Sequence, residues 1–231
     1  MFLILACLIS VSGFGQQRKA AKQSNLQIYP GYVITANHND TLFGEVKFLN
    51  PVFNEETLIF YKDGEEFIYH PAQGIISEYG FQYKHYNKET KSIEPQWFVY
   101  IRKLVPKSAN SFGAKEAFIE RQIYDEIILY NYYVLETYKI NSRKYIHNYF
   151  IEKQGVDGFE LIAITRENYR ETVREYLVLG NDEIEKHLGT NGFGYKYLAD
   201  LVAIQNAWLS GNPDYEALLN YSKGLSSTEL N

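Results

Sequence analysis

The 231-residue chain is poorest in the residue types on which small reactive sites are usually built: one cysteine, one methionine, two tryptophans and five histidines. A lone cysteine excludes an internal disulfide and a paired-thiolate zinc site. His38, His70, His85, His147 and His187 are widely spaced, with no pair at i, i+4 and no H-E-x-x-H. A metal site would therefore need assembly from distant segments. No G-x-S-x-G elbow is present, and Ser108 and Ser111 have no nearby histidine in sequence. The glycine-rich stretch 189–194 lacks the Lys-Ser/Thr of a phosphate loop and follows a helical pattern, so it reads as a helix-to-helix connection. Beyond the first residues no apolar run is long enough to span a bilayer. Basic charge is short as well. Lys and Arg number 23 against 28 Asp and Glu, a net charge of −5 with the acidic excess in the C-terminal half. That balance argues against nucleic acid as the ligand, because a binder of phosphate backbones concentrates basic charge on one face. No cofactor or metal is expected.

Aromatics are the excess: 21 Tyr and 14 Phe. Both suit a pleated, half-buried surface, so they predict much β-structure. The first residues, MFLILACLISVSGF, form an apolar core of about ten residues followed by small ones and then by Gln16-Gln17-Arg18-Lys19, which is a signal-peptide pattern. Cleavage is expected after Gly15. Cys7 sits inside the apolar run in a poor lipobox, so the mature chain is expected to carry no thiol and to be periplasmic or secreted without a lipid anchor. The expected layout is a signal segment at 1–15, a flexible leader at 16–27, a β-rich region at 28–164, a helical region packed on it at 165–222, and a loose tail at 223–231.

Period-2 alternation marks the strands. Tyr32-Val33-Ile34-Thr35 and Thr41–Phe48 flank the turn cluster Asn37–Asp40, and Pro51 reads as the end of that hairpin. A second hairpin joins 57–61 to 66–69 through Lys62-Asp63-Gly64-Glu65, the Asp-Gly supplying positive φ. Further strands are expected at 74–86, 97–105, 117–124, 127–133, 135–140, 145–152 and 159–164. The period then changes. Thr165 reads as the N-cap of a helix over Arg166–Leu179, and Asn181 or Asp182 caps a short second one. A third covers 195–209 with Leu198, Leu201, Val202, Gln205 and Trp208 along one stripe. A fourth starts at Asn212-Pro213 and ends near Tyr221. Strands followed by a block of helices predict an α+β fold: an antiparallel, Tyr/Phe-rich sheet over residues 28–164, then about four short helices over 165–222.

Gly31-Tyr32-Val33-Ile34-Thr35 followed by Asp40-Thr41-Leu42-Phe43-Gly44-Glu45-Val46 resembles the hairpin that opens many secreted proteins of Bacteroidota just after the signal peptide. This chain departs from that pattern in having Asn39 where Gly precedes the Asp, and a longer turn. The resemblance covers about a tenth of the chain. It implies an envelope or secreted location and carries no activity. Asp40-Thr41-Leu42 is also similar to the short O-glycosylation acceptor pattern of these bacteria, with Thr41 as the acceptor.

The polar motifs all have structural readings. Glu55-Glu56 and Glu65-Glu66 are adjacent pairs whose side chains point to opposite faces of a strand. Arg166, Arg170 and Arg174 interleave with Glu167, Glu171 and Glu175 as ion pairs on a helix face. His38 with Asp40 reads as a solvated turn. The function expected is therefore an exported, non-catalytic binding or envelope-structural module, with an envelope protein or a glycan as partner. A hydrolase acting on an envelope polymer through a dispersed His/Asp/Glu site is one alternative. A carbohydrate-binding protein using exposed aromatics is the other, with Tyr79, Phe81, Tyr83 and Trp97 as candidate contacts.

Overall fold

The computed structural model describes residues 27–88, 90–106, 114–139, 142–153 and 161–227. The expected signal segment, nearly all of the leader, the Ser108/Ser111 loop, the turn at 154–158 and the last four residues lie outside the described residues. Ten strands form one antiparallel sheet: β1 Gln27–Thr35, β2 Thr41–Phe48, β3 Leu58–Lys62, β4 Glu65–Tyr69, β5 Ile76–Asn87, β6 Ser92–Pro106, β7 Ala114–Ile123, β8 Ile127–Lys139, β9 Ser142–Lys153 and β10 Ile162–Ile164. Their order is β10-β9-β8-β7-β6-β5-β1-β2-β3-β4, so only the β1–β5 pairing joins strands that are not consecutive. The α+β class and the Tyr/Phe-rich antiparallel sheet are as the alternation predicts. The Asp63-Gly64 turn between β3 and β4 has φ of 53° and 84°, the positive pair that a two-residue hairpin loop requires.

The expected elements needed four corrections. Pro51 opens a helix, α1 (Pro51–Glu56), as well as ending the hairpin. Its φ suits the first helical position, and the Asn50 Oδ1 accepts from the Phe53 N–H at 2.9 Å. The segments 127–133 and 135–140 are one strand, β8, paired with β9 throughout. The helix expected over 166–179 is one short turn, α2 (Tyr169–Thr172), continued by a wide π turn over Val173–Leu177. The Thr165 N–H donates to Asn168 Oδ1 at 2.7 Å, which spends Thr165 on a turn before the helix. The last helix, α5 (Tyr215–Ser227), runs past Tyr221 into the segment expected to be loose. α3 (Asp182–His187) has the expected cap, Asn181, whose Oδ1 accepts from the Ile184 N–H. α4 (Leu198–Leu209) buries Leu198, Leu201, Val202 and Gln205 of the predicted stripe and leaves Trp208 partly exposed.

The C-terminal helices cover one face of the sheet over β8–β10. Val173, Leu177, Leu201 and Val202 pack there on Leu129, Tyr149 and Ile151. α1 packs on the same face at β7 and β8. Further along it, Val33, Phe60, Tyr79, Phe81, Tyr100 and Phe118 form a second, aromatic cluster. The opposite, outer face is closed at one end by Ala117, Ile119, Ile128, Tyr130 and Phe150. Over β1–β6 the described residues leave Phe43, Ile93 and Trp97 exposed on it.

Candidate functional site

On the helix-bearing face the register draws one line across the sheet. Leu42 pairs with Val33, Val33 with Tyr79, Tyr79 with Tyr100, Tyr100 with Glu120, Glu120 with Asn131 and Asn131 with Tyr149. Strand alternation thus delivers three phenols, a carboxyl and an amide to core positions. Tyr79 and Tyr100 stack at 4.8 Å between centroids with planes 2° apart. The Tyr79 hydroxyl donates to the Asn54 carbonyl at 2.7 Å, and burial holds both phenols well above their usual pKa. The Asn131 Nδ2 donates to Glu120 at 3.3 Å, while its Oδ1 accepts from His147 Nε2 at 2.8 Å. The His147 ring lies parallel to Tyr133, 4.7 Å away.

Strands β7 and β8 pair only from Glu120 to Ile123 and from Leu129 to Asn131, then part. α1 lies at that fork. Its Glu55, almost fully buried, accepts from the Tyr133 backbone N–H at 2.7 Å, supplying the acceptor that the departed strand withholds. Burial first, and then the nearby Glu120 and Glu56 charges, push the Glu55 pKa up to about 9 against the opposing pull of the Tyr133 hydrogen bond and Lys115. At neutral pH it is a buried, uncharged acid. Asn54 beside it, also fully buried, accepts from the Leu49 N–H and donates to the Lys47 carbonyl.

On the outer face a different cluster meets water. Tyr32 lies across β5 at Gly80, where a Cβ would come within 2.6 Å of the Tyr32 Cε1. The ring is fixed at one end by its hydroxyl, which donates to Glu78 Oε1 at 2.6 Å. Burial and that carboxylate raise the phenol's pKa. Glu78 Oε2 in turn meets the Arg121 guanidinium at 3.4 Å, which stacks on the Tyr124 ring at 4.4 Å. Trp97, 51% exposed, sits 5.8 Å from the Tyr32 ring. Phe43, the cross-strand partner of Tyr32, is 73% exposed, and Tyr124 67%.

The four candidate aromatics do not share a surface. Tyr79 and Phe81 are enclosed in the core of the helix-bearing face. Tyr83 lies beside them with a partly exposed ring, in contact with Tyr29 and Phe98. Trp97 alone is on the outer face, because it and Phe98 are neighbours in one strand and point opposite ways. Tyr32, Glu78 and Arg121 were missed. Each is an ordinary strand residue in its local sequence, and only the pairing of β1, β5, β6 and β7 assembles them. Of the histidines, His147 meets the carboxyl-bearing row, whereas His70 Nδ1 contacts the Glu56 carbonyl and the Thr57 hydroxyl. His85 Nδ1 is buried without a hydrogen-bond partner among the described residues. Among the described residues no three His, Cys, Asp or Glu side chains are placed to hold a metal ion. The arginine row is dispersed: Arg174 pairs with Glu185 on α3, and Arg166 lies over Tyr195. Comparison with protein-family models, with curated proteins and with solved structures finds no match for the chain.

Proposed function

We propose that the chain is an exported, non-catalytic binding module whose ligand surface is the open outer face around Tyr32 and Trp97. The observation that carries this reading is the chain of contacts from Trp97 through Tyr32, Glu78 and Arg121 to Tyr124. Arg121 and Glu78 keep only 21% and 18% of their side-chain surface exposed, and holding long side chains in one geometry costs rotamer entropy. A surface ordered in advance does gain affinity, because its ordering cost is met before the ligand arrives. Trp, Tyr and Arg are also the residues that carry binding energy at recognition surfaces. The interior row supports the alternative hydrolase less well. Glu120 of that row and Glu55 of α1 are buried between the helix and the sheet, where Glu120 accepts from the Asn131 amide and Glu55 from the Tyr133 N–H. Export rests on the apolar run at Phe2–Val11.

The test is photo-cross-linking in cells that make the protein, with a benzophenone amino acid in place of Phe43 or Trp97. Exposed Tyr221 on α5 serves as control. Adducts are expected at 43 and 97 and not at 221. Adducts at 221 alone, or none at 43 and 97, refute the reading.

A further inference from the structure

We infer that the occupant of the outer face is an uncharged glycan, an inference that rests on the binding role proposed above. Three features define the ligand chemistry. First, the aromatic floor is fixed. Tyr32 lies in a notch that exists only because residue 80 is glycine, its hydroxyl is tied to Glu78, and Trp97 leans on it with planes 50° apart. A pyranose ring offers an apolar C–H face to such a floor. Second, polar groups lie within the floor as well as around it. Glu78 uses one lone pair of each oxygen, on Tyr32 and Arg121, and so keeps acceptor capacity, while the guanidinium carries five N–H donors. Gln82 stands directly across from Trp97 on the neighbouring strand. Donors and acceptors beside an aromatic face match the equatorial hydroxyls of a sugar.

Third, the central charges cancel. Glu78 and Arg121 neutralise each other, so among the described residues the centre offers neither an anionic nor a cationic ligand a free counter-charge. The floor extends from Trp97 on β6, across β5 and β1, to Phe43 on β2. At one strand spacing per step this is about 14 Å, enough for a short run of sugar rings.

Trp208→Phe leaves Trp97 as the only tryptophan and hence the only emitter of its kind. That chain is titrated with uncharged hexasaccharides of glucose, mannose and xylose, and with oligomers of glucuronate and glucosamine as charged counterparts. Saturable change in Trp97 emission is expected with at least one uncharged sugar, with charged oligomers binding at least tenfold more weakly. Tyr32→Ala should weaken the response at least tenfold. Gly80→Ala, which displaces the ring, should act in the same direction, and Tyr32→Phe, which keeps the ring and frees Glu78, should cost less. Circular dichroism and thermal melting check that each variant is folded, and Tyr32→Phe keeps the test decisive if the alanine variants are not. Failure of every sugar to move Trp97 emission, or preference for a charged oligomer, overturns the inference. Cross-links from residues 43 and 97 to a protein, with no response to any sugar, would sink the glycan and leave the binding role standing. No cross-links and no response would sink both.

Discussion

Replacing Glu55 with Gln isolates one buried proton. Below about pH 4.5 the Glu55 carboxyl is neutral in the folded and unfolded chain alike, and its burial carries no ionisation penalty. Between 4.5 and about 9 the unfolded chain has released the proton and the folded chain has kept it. The folded state then binds more protons, so stability falls as pH rises, by about 1.4 kcal/mol per pH unit. Above about pH 9 the group is ionised in both states and the loss levels off. The whole span is worth roughly 6 kcal/mol, of which about 3 kcal/mol is already lost at neutral pH. Gln keeps the shape and the oxygen that accepts from the Tyr133 N–H, and it does not titrate. Urea unfolding of both chains at pH values of about 5, 7 and 9 should show Glu55→Gln gaining on the parent by roughly 5 kcal/mol across that range, with unchanged urea dependence. A stability gap that stays constant to within about 1 kcal/mol would refute the assignment of Glu55 as a buried neutral acid.

Three further outcomes follow from buried polar contacts. Asn206 on α4 accepts from the Ile127 N–H at 2.8 Å and donates to the Ile127 carbonyl at 2.9 Å; Asn206→Leu should cost about 2–4 kcal/mol and speed hydrogen exchange at the Ile127 amide. Lys103 reaches both oxygens of buried Glu152, which also accepts from the Tyr130 hydroxyl at 2.6 Å. Lys103→Met strands that carboxylate and should cost about 3 kcal/mol or more by thermal unfolding, whereas the double change with Glu152→Leu should recover much of the loss. Asn54→Ala should lower stability by about 2–3 kcal/mol, because the Leu49 N–H and the Lys47 carbonyl lose their buried partner together; a cost under about 0.5 kcal/mol would show that water replaces it.

The parts of this fold legible in the sequence are those set by neighbours in the chain. Asp63-Gly64 announces its turn, Asn181 its cap, and alternation gives most strands to within a few residues. Pro51 misled because proline ends a strand and starts a helix with equal chemical ease, and Asn50 tips the balance only when its side chain turns to the Phe53 N–H. The wide turn at Val173–Leu177 has no local signature, since the Val178 N–H simply bonds one residue further back, to Val173. The candidate surface is the least local feature. Tyr32, Glu78, Trp97 and Arg121 span ninety positions, and nothing near any of them announces the register that joins them. Tyr79 and Phe81 show the converse limit: alternation identifies which residues share a face and is silent on whether that face looks inward.

Among the described residues the sheet ends in β10, three residues long, and β4. A chain this rich in aromatic strands would stack edge to edge with its own copies if both borders were long and greasy. β10 is too short to template a second molecule. β4 opens with Glu65 and Glu66, both exposed, so an incoming strand meets two negative charges at the border. The molecule can therefore afford an uncovered aromatic floor in its middle because its margins repel the company that such a surface would otherwise attract.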